Sequence, residues 1–222
     1  MSNKYVIITA GGSGKRMGST IPKQFLLLNG LPVIMHSILA FYQYSNDISI
    51  IVVLPESHLN DWKKLCTKHQ FDIPHRICQG GDTRFKSVYQ GLQLAGKGLI
   101  AVHDAVRPLV SRKVIKNCFA VAEEKGSAIP VVKMKDSIRK IESSGSTVVN
   151  RAELRMVQTP QVFKSDILIP AYQQDESRYF TDDASVVEAN ACRINLVDGE
   201  ERNIKITSPE DLLIAEALLK VS

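Results

Sequence analysis

The chain has 222 residues, of which 44% are hydrophobic and 23% are charged, a composition typical of a globular protein and unlike that of a disordered one. No apolar run approaches the ~18–20 residues that a membrane-spanning helix needs. The formal net charge is +5, but the first 46 residues hold four basic residues and no acid, whereas a nucleic-acid-binding surface would spread its basic charge.

Apolar runs alternate with helical stripes along most of the chain. The runs at 5–9, 48–54, 75–78, 99–102 and 128–132 predict buried strands. Apolar residues at helical spacing predict helices between them, at 33–42, 59–66, 85–92 and 114–122. Caps are predicted at Ser111 and at Ser208, where Pro209 starts a last helix. Strands that alternate with helices predict an α/β fold, an open and mostly parallel sheet with helices on both faces.

The stretch from Lys133 to Gln161 breaks this alternation. Weak strand patterns at 137–141 and 147–150 flank the turn-like residues 143–146, which predicts an extended hairpin outside the main sheet. A two-stranded arm is marginally stable alone in water, so we expect it to pack on another surface, with a second subunit favoured over the body of the same chain. We predict one domain over 1–222, with 133–161 as a protruding dimerisation arm.

Four cysteines are spread along the chain without a C-x-x-C motif, at positions 66, 78, 118 and 192. We expect free thiols rather than a zinc site or disulfides. The first apolar stretch is too short for a signal peptide, and no cleavage site follows it. These features predict a cytoplasmic protein that binds no membrane.

A glycine-rich loop, Ala-Gly-Gly-Ser-Gly-Lys-Arg-Met-Gly at 10–18, follows the first predicted strand. Glycines let backbone N–H groups approach phosphate oxygens closely. The loop is not a P-loop, because Arg16 stands where serine or threonine is required. It is not a dinucleotide fingerprint either, because Met17 replaces the last glycine. With Lys15 and Lys23 nearby, the pattern favours a polyphosphate site over a solvated basic loop.

This loop and five later segments, taken in order, resemble the 2-C-methyl-D-erythritol 4-phosphate cytidylyltransferases of the non-mevalonate isoprenoid pathway. The segments are 10–18 with 22–25, 80–88, 102–108, 158–161, 181–185, and 203–207 with 209–212. Each motif alone is modest, but the ordered set covers nearly the whole chain and is highly specific. The resemblance implies a Rossmann-like sheet of the nucleotide-diphospho-sugar transferase type. It also implies a nucleotidyltransferase that joins the polyol phosphate to the α-phosphorus of CTP and expels pyrophosphate.

The resemblance implies that CTP is held by loop amides, cations and a narrow slot for cytosine. Arg16 and Lys23 are expected to stabilise the transition state, whereas Lys15 has no fixed role and Arg84 is a weaker candidate. Asp82 either binds CTP or caps the helix that follows it, and the two roles are compatible. The CTP-binding positions are Ala10, Gly11, Gly12, Gly14, Gly81, Asp82 and Ser87.

Asp104 ends a predicted strand, where ligands of open α/β sheets collect. Its carboxylate suits Mg²⁺ that bridges phosphates, and the resemblance places it near both the metal and the second substrate. The alternative is a helix or turn cap. His103 is expected to be structural.

The resemblance also implies a set of residues around the methylerythritol phosphate. Arg151 and Lys205 are expected to be catalytic by positioning its phosphate for in-line attack. Arg151 lies on the arm and would reach into the neighbouring subunit's site, so that a homodimer becomes part of catalysis. The other substrate-binding positions are Asp104, Arg107, Ser137, Thr159 and Thr181.

Two positions depart from the usual pattern of the methylerythritol enzymes, and one of them leaves a sister family open. Val106 gives the motif His-Asp-Ala-Val-Arg-Pro, which resembles ribitol 5-phosphate cytidylyltransferases, and Ser137 stands where threonine is usual. The segments 181–185 and 81–88 favour the methylerythritol enzymes. A sugar 1-phosphate nucleotidylyltransferase fits the first loop alone. A nucleic-acid-binding module would need interleaved aromatic residues, and only 6% of the chain is aromatic.

Overall fold

A central β-sheet with helices on both faces forms the body of the molecule. The structure is a computed structural model and describes residues 2–11 and 21–221. The strands are β1 (Lys4–Thr9), β2 (Leu27–Leu28), β3 (Leu31–Pro32), β4 (Ser49–Leu54), β5 (Arg76–Gln79), β6 (Leu99–Asp104), β7 (Ser127–Lys133), β8 (Ile138–Glu142), β9 (Gly145–Val149), β10 (Arg155–Val157), β11 (Gln161–Lys164) and β12 (Leu196–Asp198). The helices are α1 (Val33–Tyr44), α2 (Leu59–Lys68), α3 (Arg84–Leu92), α4 (Arg112–Lys125), α5 (Ser165–Ala171), α6 (Asp183–Ala189) and α7 (Pro209–Lys220).

The main sheet has eight strands in the described part of the chain and is mostly parallel. Strands β5, β4, β1 and β6 lie side by side in parallel. The antiparallel β11 joins β6 to the start of β7, β10 pairs with the end of β7, and β12 runs parallel to β7. The predicted sheet is confirmed. The sequence pattern does not predict β10, β11 or β12, because three or four residues carry too little periodicity.

Both faces of the sheet are covered by helices, as predicted. On one face, α1, α2 and α4 pack over Val6 and Ile8 of β1. On the other face, α3, α5 and α6 pack over Ile7 of the same strand. All three side chains are fully buried, and burying each stabilises the fold by about 1.5–3 kcal/mol. In the described ranges, no helix combines the length and the apolar character needed to cross a membrane.

The carboxyl ends of the parallel strands meet at one edge of the sheet. Thr9, the last residue of β1, lies opposite Val53 of β4 and opposite Asp104 of β6. Gly80 follows β5, and its N–H donates to the carbonyl of Leu54 at 2.8 Å. The loops after β1, β5 and β6 therefore emerge next to one another, which is where ligands of open α/β sheets bind.

A separate two-stranded hairpin lies between β7 and β10. β8 and β9 pair from Ile138–Val149 to Glu142–Gly145 and form a sheet of their own. Ile141 and Val148 are 79% and 77% exposed, and the register places them on the same face of the hairpin. The hairpin lies where the sequence pattern predicts one. The assignment of 133–161 as a dimerisation arm stays a prediction, and within that range β10 belongs to the main sheet.

The last helix anchors the segment that carries Lys205. The predicted cap at Ser208 is confirmed, as part of a capping box that begins α7. Ile206 is fully buried in a cluster with Val106 and α7, and its N–H donates to the carbonyl of Val106 at 2.9 Å. The end of the chain is thereby tied to the loop after β6, which brings Lys205 beside Asp104.

Candidate active site

Two cavities of about 200 and 260 Å³ open side by side at the carboxyl edge of the sheet. They share three residues, Arg84, Asp104 and Lys205. The remaining lining of the first cavity includes Ala10, Gly11, Lys23, Gln24, Gly81, Asp82, Ser87 and Val106. The remaining lining of the second is Arg107, Val157, Gln158, Thr159, Gln161, Thr181 and Asp182. Predictions for Gly12, Gly14, Lys15 and Arg16 fall outside the described residues.

Asp104 lies at the junction of the two cavities and is surrounded by cations. Its Oδ2 is 2.9 Å from Lys205 Nζ and 3.4 Å from Arg107 Nε, and its Oδ1 is 4.0 Å from Arg84 Nε. Burial alone would raise the pKa of Asp104, but the charges of Arg84, Lys205 and Arg107 hold that pKa well below its usual range. The carboxylate is therefore ionised at neutral pH and orients Lys205 and Arg107.

His103 supports this arrangement from behind the site. Its Nε2 lies 3.1 Å from the carbonyl oxygen of Arg107, which can only accept, so Nε2 carries the proton. Nδ1 then accepts from the Thr159 hydroxyl at 3.0 Å, and that hydroxyl accepts the backbone N–H of Asp104 at 3.1 Å. Burial lowers the pKa of His103 to about 4, so the imidazole is neutral. The structural role expected for His103 agrees with these contacts.

The loop after β5 and the start of α3 form one wall of the first cavity. The Ser87 hydroxyl donates to the carbonyl of Gly81 at 3.2 Å and closes the loop onto α3. A Cβ at Gly80 would lie 2.8 Å from that hydroxyl oxygen, so only glycine fits there without displacing Ser87. Gly81, Thr83 and Ser87 give this wall backbone groups and small side chains.

Asp82 does not cap the helix that follows it. The N-cap of α3 is Thr83, whose side-chain oxygen accepts the N–H of Lys86 at 3.1 Å. The Asp82 side chain is 94% exposed at the rim of the first cavity and lies 3.8 Å from Lys86 Nζ. Of its two expected roles, the capping role is wrong, and the role in binding CTP stays a prediction.

Lys23 is positioned by its two neighbours on a short 3-10 turn, Lys23–Phe25. The buried amide of Gln24 donates to the carbonyl of Ala10 at 2.9 Å, which ties this turn to the end of β1. Phe25 stacks on Trp62 with ring centroids 6.2 Å apart. These polar and apolar contacts hold Lys23 at the first cavity, and its role beside a triphosphate stays a prediction.

Known proteins are similar to this chain in sequence and in fold over nearly its whole length. A model of the 2-C-methyl-D-erythritol 4-phosphate cytidylyltransferase family matches residues 4–221. The chain belongs to this family. A relative with that name from Azobacteroides pseudotrichonymphae is 52% identical over 99% of this chain and 100% of the relative. Another from Bacteroides thetaiotaomicron is 49% identical over 96% of this chain and 98% of the relative.

Solved structures agree with the family assignment. The 2-C-methyl-D-erythritol 4-phosphate cytidylyltransferase of Thermus thermophilus is 31% identical, with a TM-score of 0.80 over 99% of this chain and 100% of that one. The 4-diphosphocytidyl-2C-methyl-D-erythritol synthase of Anaerococcus prevotii is 27% identical, with a TM-score of 0.83 over 99% of this chain and 96% of that one. The expected Rossmann-like nucleotidyltransferase fold and enzyme class are confirmed.

Two residues that the cytidylyltransferase resemblance assigns to the second substrate lie on the arm. Ser137 and Arg151 are exposed, and neither lines the two cavities of the described chain. The Arg151 guanidinium donates to the carbonyl of Lys135, at the base of the hairpin. Within one chain, the second cavity is therefore formed without these two side chains.

Two buried amides for which the sequence predicts no role, Gln158 and Asn203, support the position of Arg107. Arg107 Nη1 donates to the carbonyl of Asn203 at 2.7 Å, and the Asn203 amide donates to the carbonyl of Thr159 at 2.9 Å. Gln158 Nε2 donates to the carbonyl of Glu200 at 2.8 Å. Both amides lie within segments that resemble the family, so a polar residue in such a segment was the available signal.

Proposed function

We propose that this chain transfers the cytidylyl group of CTP to 2-C-methyl-D-erythritol 4-phosphate. The products are 4-diphosphocytidyl-2-C-methyl-D-erythritol and pyrophosphate, and the step belongs to isoprenoid precursor biosynthesis. The family assignment supports this reaction. The observation that carries it is the pair of adjacent cavities that share Arg84, Asp104 and Lys205, because a transfer reaction needs two substrates to meet at one charged point.

The first cavity suits CTP. Gly81 and Ser87 would offer backbone groups and a small side chain to the edge of a small base, and Lys23, which lines the same cavity, would contact the phosphates. Arg16 and the glycine loop are proposed to complete the triphosphate site. Asp104, Lys205 and Arg84 then lie where the α-phosphate would meet the second substrate.

The second cavity suits a small polyol phosphate. Thr181 and Arg107 line it with a hydroxyl group and a guanidinium group. These groups match hydroxyl and phosphate oxygens, and the guanidinium can bind a phosphate through two N–H groups. The hydroxyl of Thr159, by contrast, is already engaged with His103 and Asp104. We therefore infer that Thr159 supports the site by positioning Asp104.

The reaction needs positioning and charge stabilisation more than proton transfer. A phosphate oxygen of the polyol phosphate attacks the α-phosphorus of CTP, a new P–O bond forms, and the bond to the β-phosphate oxygen breaks in line with it. Negative charge accumulates on the α-phosphate oxygens and on the leaving pyrophosphate. Lys23, Arg16 and Lys205 are proposed to stabilise that charge, and ionised Asp104 keeps Lys205 and Arg107 aimed at the junction.

A divalent cation fits this donor set if phosphate oxygens supply most of its ligands. Asp104 is an ionised carboxylate at the junction, and such hard oxygen donors suit Mg²⁺. In the described part of the chain, no three His, Cys, Asp or Glu side chains cluster to hold a metal, so Asp104 would hold it together with the phosphates. When bound there, Mg²⁺ would neutralise phosphate charge.

The exposed arm supports a homodimer in which each arm completes its partner's site. Ile141 and Val148 form an exposed apolar pair on the hairpin, which a second subunit would cover. Arg151 is exposed and lines neither cavity of its own chain. We propose that it contacts the polyol phosphate in the partner's second cavity.

A cytoplasmic location is also proposed, because all four cysteines are free thiols.

The proposed reaction predicts pyrophosphate release that requires CTP, 2-C-methyl-D-erythritol 4-phosphate and Mg²⁺ together. Omitting either substrate, or chelating the metal, should abolish release, and adding Mg²⁺ back should restore it. Release from CTP alone at the rate of the complete mixture would indicate a nucleotide hydrolase. Steep, salt-dependent binding to random oligonucleotides without any release would instead favour a nucleic-acid-binding module.

A further inference from the structure

Arg84 is held in place by a fully buried carboxylate. Its Nη1 donates to Asp183 Oδ1 at 3.0 Å and its Nη2 donates to Asp183 Oδ2 at 2.6 Å, so the pair is bidentate. The Tyr172 hydroxyl donates to the same Oδ1 at 2.6 Å. The side chain of Asp183 is 0% exposed and that of Arg84 is 32% exposed. The buried end of the guanidinium is therefore fixed, while part of the side chain reaches the cavities.

Fold stability alone does not explain this arrangement. Arg84 is the first residue of α3, where a cation opposes the helix dipole. A buried ion pair is also weak support for a fold, because apolar residues of similar volume are often as stabilising. A cation at the start of a helix and a buried ion pair, both at Arg84, add little to stability and therefore indicate a functional constraint.

The position of Arg84 relates it to both proposed substrates. It is one of the three residues that line both cavities, and its Nε lies 4.0 Å from Asp104 Oδ1. Asp183 begins α6, directly after Thr181 and Asp182 of the second cavity. The ion pair thus joins the start of α3, beside the first cavity, to the start of α6, beside the second. Two of the five N–H donors of Arg84 bind Asp183, and an arginine can use the others for phosphate oxygens.

We propose that Arg84 is a further catalytic residue, which contacts phosphate oxygens where the two substrates meet, and that Asp183 and Tyr172 are positioning residues that hold its guanidinium there. This inference rests on the proposed function. Because the contact strengthens as charge grows in the transition state, loss of the residue should lower kcat more than it raises KM. Asp183 and Tyr172 act through Arg84, so their effects should depend on its presence.

The test is a double-mutant cycle that follows pyrophosphate release with both substrates and Mg²⁺. Arg84→Gln should lower kcat about 10²–10³-fold, and Asp183→Asn should lower it about 10-fold with KM for CTP changed less than about 3-fold. In the Arg84→Gln background, Asp183→Asn should lower kcat no further. Tyr172→Phe should give a smaller loss of the same kind, and Arg84→Lys should recover only part of the activity.

Controls separate positioning from loss of structure. Glu188→Gln removes an exposed acid from the same helix as Asp183, and Tyr89→Phe removes a hydroxyl from α3; both should leave kcat and the melting temperature unchanged. If Asp183→Asn does not fold, the same double-mutant cycle is measured with Tyr172→Phe in its place, alone and combined with Arg84→Gln. Equal losses from Asp183→Asn with and without Arg84 would overturn the inference, as would full activity of Arg84→Gln. A wild-type chain that releases no pyrophosphate would overturn the proposed function itself, before any variant is compared.

Discussion

Asp104→Asn is expected to lower kcat about 10²–10³-fold while the fold is kept. The amide has the shape of the carboxylate but not its charge, so Lys205 and Arg107 lose the group that aims them at the junction. A protein ligand for the proposed Mg²⁺ is lost as well. The backbone N–H of Asp104 still donates to Thr159, so β6 and the second cavity should retain their structure. Steady-state pyrophosphate release at saturating CTP, polyol phosphate and Mg²⁺ measures the effect.

A matched control for this variant is Asp61→Asn. Asp61 also pairs with a lysine, at 3.8 Å from Lys64 Nζ, but its side chain is 56% exposed on α2 and lines neither cavity. The control should have wild-type kinetics, since an exposed ion pair contributes little. If Asp104→Asn keeps a kcat within about threefold of wild type at saturating Mg²⁺, Asp104 has no part in the mechanism.

Arg151→Ala and Lys205→Ala should each lower the kcat of the homodimer about 10²–10³-fold. A heterodimer with Arg151→Ala in one subunit and Lys205→Ala in the other should regain activity. Lys205 lies in both cavities of its own chain, whereas the exposed Arg151 is proposed to serve the partner's site. A heterodimer then contains one site with both residues and one with neither. Purified through two different tags, it should have about half the wild-type activity per dimer, as expected for a site shared across a two-fold interface.

The arm offers a control for this experiment. Arg155 is exposed at the base of the arm and donates to the carbonyls of Ala152 and Leu154. Arg155→Ala removes the same charge as Arg151→Ala but should leave kcat near the wild-type value. If heterodimers verified by both tags show no more activity than the single variants, Arg151 serves its own chain or none, and the shared site is wrong.

Hydrophobic patterning predicts the layers of this fold well because its central strands are buried on both faces. The apolar run predicts a strand over 99–102, and β6 extends to Asp104 because two polar residues, His103 and Asp104, continue the strand into the site. The helix α6 is seven residues long, and its capping residue Asp182 lies in a segment whose sequence indicates a motif but no helix start. Short elements of this kind depend on tertiary contacts, and the hydrophobic periodicity of the sequence does not predict those contacts.

The candidate site was predictable where its residues follow neighbouring parallel strands. Asp104, Gly81 and Ala10 meet for that reason, because carboxyl ends of parallel strands share one edge. The pairing of Arg84 with Asp183 was not predictable, since 99 residues separate them and each has an ordinary reading as a surface charge. Arg84 was a weak candidate from sequence, and its contacts make it a strong one. The position of Arg151 relative to a partner's cavity depends on a second chain.

The most direct test of the proposed function compares two polyol phosphates as substrates side by side. Val106, which lines the first cavity, belongs to the motif that resembles ribitol 5-phosphate cytidylyltransferases. Pyrophosphate release from CTP should be measured with 2-C-methyl-D-erythritol 4-phosphate and with ribitol 5-phosphate under the same conditions. We expect kcat/KM for the methylerythritol substrate to be higher by a factor of about 10² or more, because polar groups of a site that hydrogen-bond the correct substrate are left unpaired by a different one. Equal values, or a preference for ribitol 5-phosphate, would contradict the proposed function.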